Sequence, residues 1–262
     1  MPFLKFLNEG FFYTHLNSLP STKFWYVFFI ILSAVCGYLL GSINTSILIS
    51  KLVYREDIRK FGSGNAGMTN MLRTYGIGAA AGTFIGDLLK TVIAVLIPGI
   101  IFGFQFVDIE TGYYCGVSVQ PFCYLAGLCA VIGHIFPIYH KFKGGKGVMT
   151  TITMAILLSH GPMLPLFILF VIMLLIFRYM SLSSVTLAAL YPVALSAWFG
   201  FFVGGLDGVI AASSIAIAVL VVWSHRENLK RISNKTERKV TFGKRKRSDA
   251  IAEEKEEEEN DG

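Results

Sequence analysis

The sequence predicts an all-α integral membrane protein of seven transmembrane helices, with its amino terminus outside and its carboxyl terminus cytoplasmic. Three observations carry that expectation. Of 262 residues, 54% are hydrophobic and only 15% charged, with 22 Phe and a mean hydropathy of +0.60. Soluble domains carry about 25% charge, so this composition excludes a disordered chain and an ordinary soluble domain. Charge-free apolar stretches recur along the chain, and about 20 apolar residues cross a hydrocarbon core. When these stretches are threaded as spans, 20 of the 23 Lys and Arg residues fall on one side, as the positive-inside rule requires. Four Cys among 262 residues exclude a disulfide scaffold, and no C-x-x-C pair is present to hold zinc.

Residues 1–23 form an amino-terminal extension. Residues 24–50 contain no Asp, Glu, Lys or Arg and read as a first, uncleaved span. The run 78–104 is interrupted by Asp87 and Lys90, whose i, i+3 spacing predicts an intramembrane ion pair, because a lone charge there is costly. The third run is 117–138. Residues 147–177 are free of charge but broken by Ser159-His160-Gly161-Pro162. One crossing would put the basic cluster beyond residue 225 outside; two crossings, 147–158 and 163–177, put it inside with Lys141, Lys143 and Lys146. Charge parity therefore favours two, with a re-entrant pair as the alternative for such short halves. Runs 180–203 and 208–224 complete seven. The membrane domain is expected over 24–231. Residues 232–262 then form a charged cytoplasmic tail, expected to be disordered because blocks of like charge repel.

The cytoplasmic segments carry the unusual chemistry. Gly62-Ser63-Gly64-Asn65-Ala66-Gly67 precedes Met68-Thr69-Asn70-Met71-Leu72-Arg73. Closely spaced glycines allow backbone N–H groups to converge on an anion. Ser63 and Asn65 can cap the following helix. Helical spacing puts Thr69, Asn70 and Arg73 on one face, which together with a positive helix end suits a phosphate. Lys141-Phe142-Lys143-Gly144-Gly145-Lys146-Gly147 also suits phosphate but lacks the Walker A frame. His134 reads as a hydrogen-bonded packing residue. Ser181 and Ser184 face one way at the start of span six, where hydroxyls usually cap. His225 and Asn228 share a face at the inner end of span seven, around Arg226 and Glu227. No Gly-x-Ser-x-Gly elbow, His-x4-Asp pair or metal cluster is present, so the sequence offers no side-chain base of a familiar kind.

These segments, in this order, resemble the bacterial acyl-phosphate:glycerol-3-phosphate acyltransferase family, the PlsY type. The matching stretches are Gly41-Ser42-Ile43, Asp57-Ile58-Arg59-Lys60 through Arg73-Thr74, Asp87-Leu88-Leu89-Lys90, Gly133-His134-Ile135-Phe136-Pro137, Phe142 to Gly147, Arg178-Tyr179-Met180-Ser181-Leu182 and His225-Arg226-Glu227-Asn228. They cover roughly residues 25–239. Asn44-Thr45 and Met68 depart from the family pattern.

The resemblance implies a seven-helix fold in the bacterial plasma membrane with its site on the cytoplasmic side. It implies transfer of a fatty acyl group from acyl-phosphate to the sn-1 hydroxyl of glycerol 3-phosphate, giving lysophosphatidic acid and inorganic phosphate. Carried over residue by residue, Ser63, Gly64, Asn65, Thr69 and Asn70 form a phosphate loop, and Arg73, Lys146, Ser184, His225 and Asn228 line the polar pocket. Ser181 joins the substrate-binding set and Glu227 positions these groups. No metal or cofactor is implied, because the mixed anhydride is already activated. The implied partners are the two substrates, the bilayer and the enzyme that makes acyl-phosphate, with no nucleic acid. The competing reading is a transporter of a small phosphorylated anion, for which only Asp87 and Lys90 lie near the midplane.

Overall fold

The computed structural model describes residues 22–103 and 119–240, which contain helices and no strand. Nine α-helices follow in order among the described residues. They are α1 (Thr22–Gly41), α2 (Thr45–Val53), α3 (Met68–Tyr75), α4 (Ile77–Phe102), α5 (Gln120–Ile135), α6 (Val148–Phe177), α7 (Met180–Phe202), α8 (Gly208–Ser224) and α9 (Arg226–Ser233). Five stretches among the described residues are long and apolar enough to cross a membrane: Lys23–Val53, Ile77–Phe102, Gln120–His140, Val148–Phe177 and Met180–Phe202. Helices α8 and α9, bent by 51° at their junction, make a sixth. Their outward faces are apolar. Val27, Ile85, Ile93, Leu164, Leu175, Val193 and Val219 are all more than half exposed, a surface that only lipid covers without cost.

Helix α5 is the centre of the bundle, packed against α1, α4, α6 and α8. Small residues allow this. A Cβ on Gly37 would lie 2.5 Å from the carbonyl oxygen of Ala126, and one on Gly41 would lie 2.2 Å from that of Ala130. The backbones of α1 and α5 therefore approach more closely than any side chain permits.

The first apolar run is not one helix. It breaks at Ser42 and Ile43, and Asn44 starts α2 by accepting from the Ile47 N–H at 3.1 Å. A charge-free run does not reveal the break, which arises from an amide able to cap a helix. The carbonyl of Ile43, freed by the break, accepts instead from Lys90 Nζ at 2.9 Å.

The run 147–177 is also broken. Ser159 leaves the helical region at φ −155° and ψ 57°. Pro162 has no N–H to offer the carbonyl four residues earlier, and that carbonyl, Leu158 O, accepts from Gln120 Nε2 at 2.9 Å. Ser159 Oγ meets the Tyr191 hydroxyl at 3.0 Å, and Tyr191 donates to Tyr124 at 3.2 Å. A straight helix of 30 residues would be about 45 Å long. Here both ends of α6 reach the same polar cluster. Lys146, before α6, donates to Asn228, whose amide donates to Glu237, which accepts from Ser181 just after α6.

The chain beyond residue 231, expected as tail, stays packed on the bundle as far as it is described. After α9, Lys235 takes a left-handed φ of 60° and Thr236 N–H donates to Arg231 O at 2.8 Å. The end of the described chain is pinned where Val240 N–H donates to Arg178 O at 2.7 Å. The remainder of the predicted tail, most of the amino-terminal extension and residues 104–118 between the second and third runs lie outside the described residues.

Candidate active site

The loop between α2 and α3 is braced before it presents anything to a ligand. Asp57 and Arg59 pair at 2.7 Å, and the Arg59 hydrogen bond holds the Asp57 carboxyl down at about 2. The same guanidinium donates to His140 O at 3.1 Å and Lys143 O at 3.0 Å, tying this loop to the next one. Asn70 is fully buried beneath it. Its amide donates to Phe61 O at 2.9 Å and Ile58 O at 3.3 Å, and its Oδ1 accepts from Ser63 N–H at 2.9 Å. Gly62 has φ +59°, and a Cβ there would lie 2.3 Å from Asn70 Oδ1, so glycine is needed on both grounds. Neither Ser63 nor Asn65 caps α3, contrary to the sequence expectation: the cap position falls to Gly67 without a side-chain bond.

On the facing side, Lys146 donates to Asn228 Oδ1. Asn228 Nδ2 and Ser181 Oγ both donate to Glu237 Oε1 at 2.7 Å, and Arg231 Nε donates to Glu237 Oε2 at 2.8 Å. Burial pushes the Glu237 carboxyl up, but these three hydrogen bonds outweigh it and the net shift is downward. Burial lowers Lys146 to about 8; Glu237 opposes the shift, while Arg231 and Arg73 add to it by repulsion. His225 Nδ1 lies 2.7 Å from the Val221 carbonyl. A carbonyl only accepts, so Nδ1 carries the proton, and in the neutral ring Nε2 is an acceptor.

These groups line a cavity of about 1050 Å³. One end is polar, formed by Ser63, Asn65, Thr69, Asn70, Arg73, Lys146, Ser181, Ser184, His225, Asn228, Arg231, Glu237 and Arg238. The other is apolar, walled by α4 (Phe84, Leu88, Val92) and by both halves of α6 (Ile152, Ile156, Leu157, Phe167, Phe170). Ile156, Leu157 and Phe167 are each more than 40% exposed on the bundle's outer surface, so this wall is continuous with the lipid-facing side.

All four residues expected to be catalytic, Arg73, Lys146, His225 and Asn228, meet at this cavity. So do Ser63, Asn65, Thr69, Asn70, Ser181 and Ser184. Their duties differ from expectation in part. Asn70 braces the loop from within, and Ser184 Oγ donates to Met180 O at 2.8 Å instead of capping α7. Gly64 does not line the cavity; its φ of +68° and its N–H bond to Phe61 O shape the loop.

Glu227 is the clear correction. Its side chain is 65% exposed and faces Arg226 at 3.8 Å, away from the cavity. The carboxylate that organises the site is Glu237, which lies in the stretch expected as tail. Arg231 and Arg238 were missed with it. The sequence signal for all three was the continuation of the family resemblance to about residue 239.

Comparison with known proteins gives the family of the chain. The family model described as glycerol-3-phosphate acyltransferase matches residues 31–235. A glycerol-3-phosphate acyltransferase of Clostridioides difficile is 41% identical over 216 residues, 82% of this chain and 97% of that protein. One from Coxiella burnetii is 39% identical over 212 residues, 80% and 97% of the two chains. The crystal structure of PlsY (YgiH), an integral membrane glycerol 3-phosphate acyltransferase, in its glycerol 3-phosphate form superposes with a TM-score of 0.66. It has 31% identity and covers 81% of this chain and 96% of that one. Its lysophosphatidic acid form gives a TM-score of 0.63. The α-helical membrane architecture, the cavity and these matches together establish that the chain belongs to the glycerol-3-phosphate acyltransferase family.

Proposed function

We propose that this protein transfers a fatty acyl group from acyl-phosphate to the sn-1 hydroxyl of glycerol 3-phosphate, at the cytoplasmic face of a bacterial plasma membrane. One observation carries the reading: a single cavity joins a cationic, hydrogen-bonding end to an apolar wall continuous with the lipid-facing surface. A donor with a phosphate head and an acyl chain is amphipathic in the same sense. Four cationic side chains, Arg73, Lys146, Arg231 and Arg238, line the cavity with two carboxylates, Glu237 and Asp87, of which Asp87 is already paired with Lys90. That excess suits two phosphate-bearing substrates held together.

The acceptor hydroxyl oxygen attacks the acyl carbonyl carbon. The bond from that carbon to the phosphate oxygen breaks, and inorganic phosphate leaves with the electron pair. The hydroxyl proton ends on the departing phosphate, which is basic enough to take it. His225 Nε2 accepts from the hydroxyl and orients it. The Gly62–Gly67 loop with Ser63, Asn65 and Thr69, together with Arg73 and Lys146, holds the phosphates. Bringing two anions together in a fixed, partly dehydrated site contributes several kcal/mol through proximity and charge stabilisation. The ester product, lysophosphatidic acid, leaves along the apolar wall into the bilayer.

In this reading the bundle crosses the membrane seven times, amino terminus outside. The return of both ends of α6 to one cavity supports two crossings for that segment. The reaction depends on an enzyme that makes acyl-phosphate.

Purified protein given palmitoyl-phosphate and glycerol 3-phosphate should release phosphate only when both are present. The product should carry its acyl group at the primary hydroxyl remote from the phosphate. No dependence of release on glycerol 3-phosphate would overturn the assignment.

A further inference from the structure

Asp87, Lys90 and His134 meet at the wall of the cavity, which Asp87 and His134 help to line, each no more than 5% exposed. Lys90 Nζ lies 2.8 Å from Asp87 Oδ1 and 2.9 Å from His134 Nδ1, and donates to Ile43 O at 2.9 Å. An ammonium has three N–H donors and no acceptor. All three are used here, and His134 Nδ1 is necessarily the acceptor. Thr45, one of the departures from the family pattern, adds a hydrogen bond to Asp87 Oδ1 at 3.3 Å. A buried ion pair of this kind gives no more stability than apolar packing of the same shape, so stability alone does not account for it.

The answer lies on the other side of the His134 residue. Its carbonyl accepts from Gly145 N–H at 3.0 Å. A Cβ on Gly144 would lie 2.1 Å from that carbonyl oxygen, and one on Gly145 would lie 2.2 Å from His134 Nε2. The Gly144-Gly145 segment therefore lies flat against His134, with the ring under the residue that precedes Lys146.

We propose that Asp87, Lys90 and His134 form a positioning device that fixes the His134 ring, and through the Gly144-Gly145 segment sets where the Lys146 ammonium stands in the cavity. This rests on the acyl transfer proposed above. Removing the ring's acceptor leaves a Lys90 donor unpaired in the membrane interior, so the trio must rearrange and the loop above it shifts.

The test is a double-mutant cycle on kcat/KM for glycerol 3-phosphate, with palmitoyl-phosphate as donor and the melting temperature of each purified variant recorded. His134→Leu, which removes the acceptor, should lower kcat/KM by about tenfold or more. His134→Asn, whose side-chain oxygen can stand in for Nδ1, should restore most of that loss. If His134 acts through Lys146, adding His134→Leu to Lys146→Ala should cost less than about twofold further. A full multiplicative loss in the double variant, or failure of His134→Asn to restore activity, would overturn the inference. Should His134→Leu not fold, Gly145→Ala presses on the same ring from the loop side and enters the cycle in its place. Absence of turnover in the wild-type protein would count against the acyl-phosphate reading and not against this arrangement.

Discussion

Replacing Lys146 by Ala is the sharpest perturbation of the site. The side chain is held by Asn228, lies near Arg73, Arg231 and Glu237, and lines the cavity where phosphate is expected. Its loss removes a charge-assisted hydrogen bond worth about 1.5–3 kcal/mol and leaves Asn228 Oδ1 without its donor. At about 1.4 kcal/mol per decade, kcat/KM for glycerol 3-phosphate should fall about 10- to 150-fold. The assay is phosphate release by purified protein in detergent, with folding checked by melting temperature. The same group sets a pH dependence. Burial lowers Lys146 to about 8, so the free enzyme holds a charged ammonium below that pH and loses it above. Because kcat/KM reports groups of the free enzyme, it should decline as pH rises through about 8. Lys146→Arg keeps its charge throughout and should remove this alkaline limb. A folded Lys146→Ala variant within about threefold of wild type would refute the reasoning, as would an alkaline limb unchanged in Lys146→Arg.

Three further outcomes follow from the geometry. Glu237→Gln should lower kcat/KM by about tenfold or more, because the bond from Arg231 is lost; it should also move the alkaline limb to lower pH, since Glu237 is what raises Lys146. An unaltered limb would show that Glu237 does not act on Lys146. Gly41→Ala puts a Cβ 2.2 Å from the backbone oxygen of Ala130, so overpacking of about 1–3 kcal/mol should lower the melting temperature in detergent; no change would contradict the close approach of α1 to α5. Single cysteines at positions 161 and 206 should react with an impermeant reagent from outside and one at 144 only from inside. Labelling of 161 from the cytoplasmic side would turn the pair of crossings into a re-entrant loop.

Helix ends within the bilayer were legible because lipid demands an apolar exterior: the runs 78–104 and 180–203 became Ile77–Phe102 and Met180–Phe202. The ion pair of Asp87 and Lys90 was legible for the same reason, since two charges three residues apart in an apolar run have few other partners. The break after Gly41 was not. Hydropathy does not register that Gly41 fits against Ala130 or that the Asn44 amide can cap a helix.

The site residues were found by type, but their duties depend on direction. Asn70 is as well suited to bind phosphate as to brace a loop, and only its three backbone partners decide. Glu227 took its expected role from adjacency to Asn228. Adjacent helical residues point about 100° apart, so when Asn228 faces the cavity Glu227 faces outward. Glu237 reaches Asn228 because the chain reverses after Ser233, a turn that a charge-rich sequence does not announce.

The central claim is that the cavity takes a phosphate-headed acyl donor. Its most direct test offers the purified protein palmitoyl-phosphate and palmitoyl-coenzyme A in parallel, each with glycerol 3-phosphate, and measures the lysophosphatidic acid formed. The account predicts product from palmitoyl-phosphate, with one phosphate released per ester made, and little from the thioester. Equal or better turnover with the thioester would contradict it.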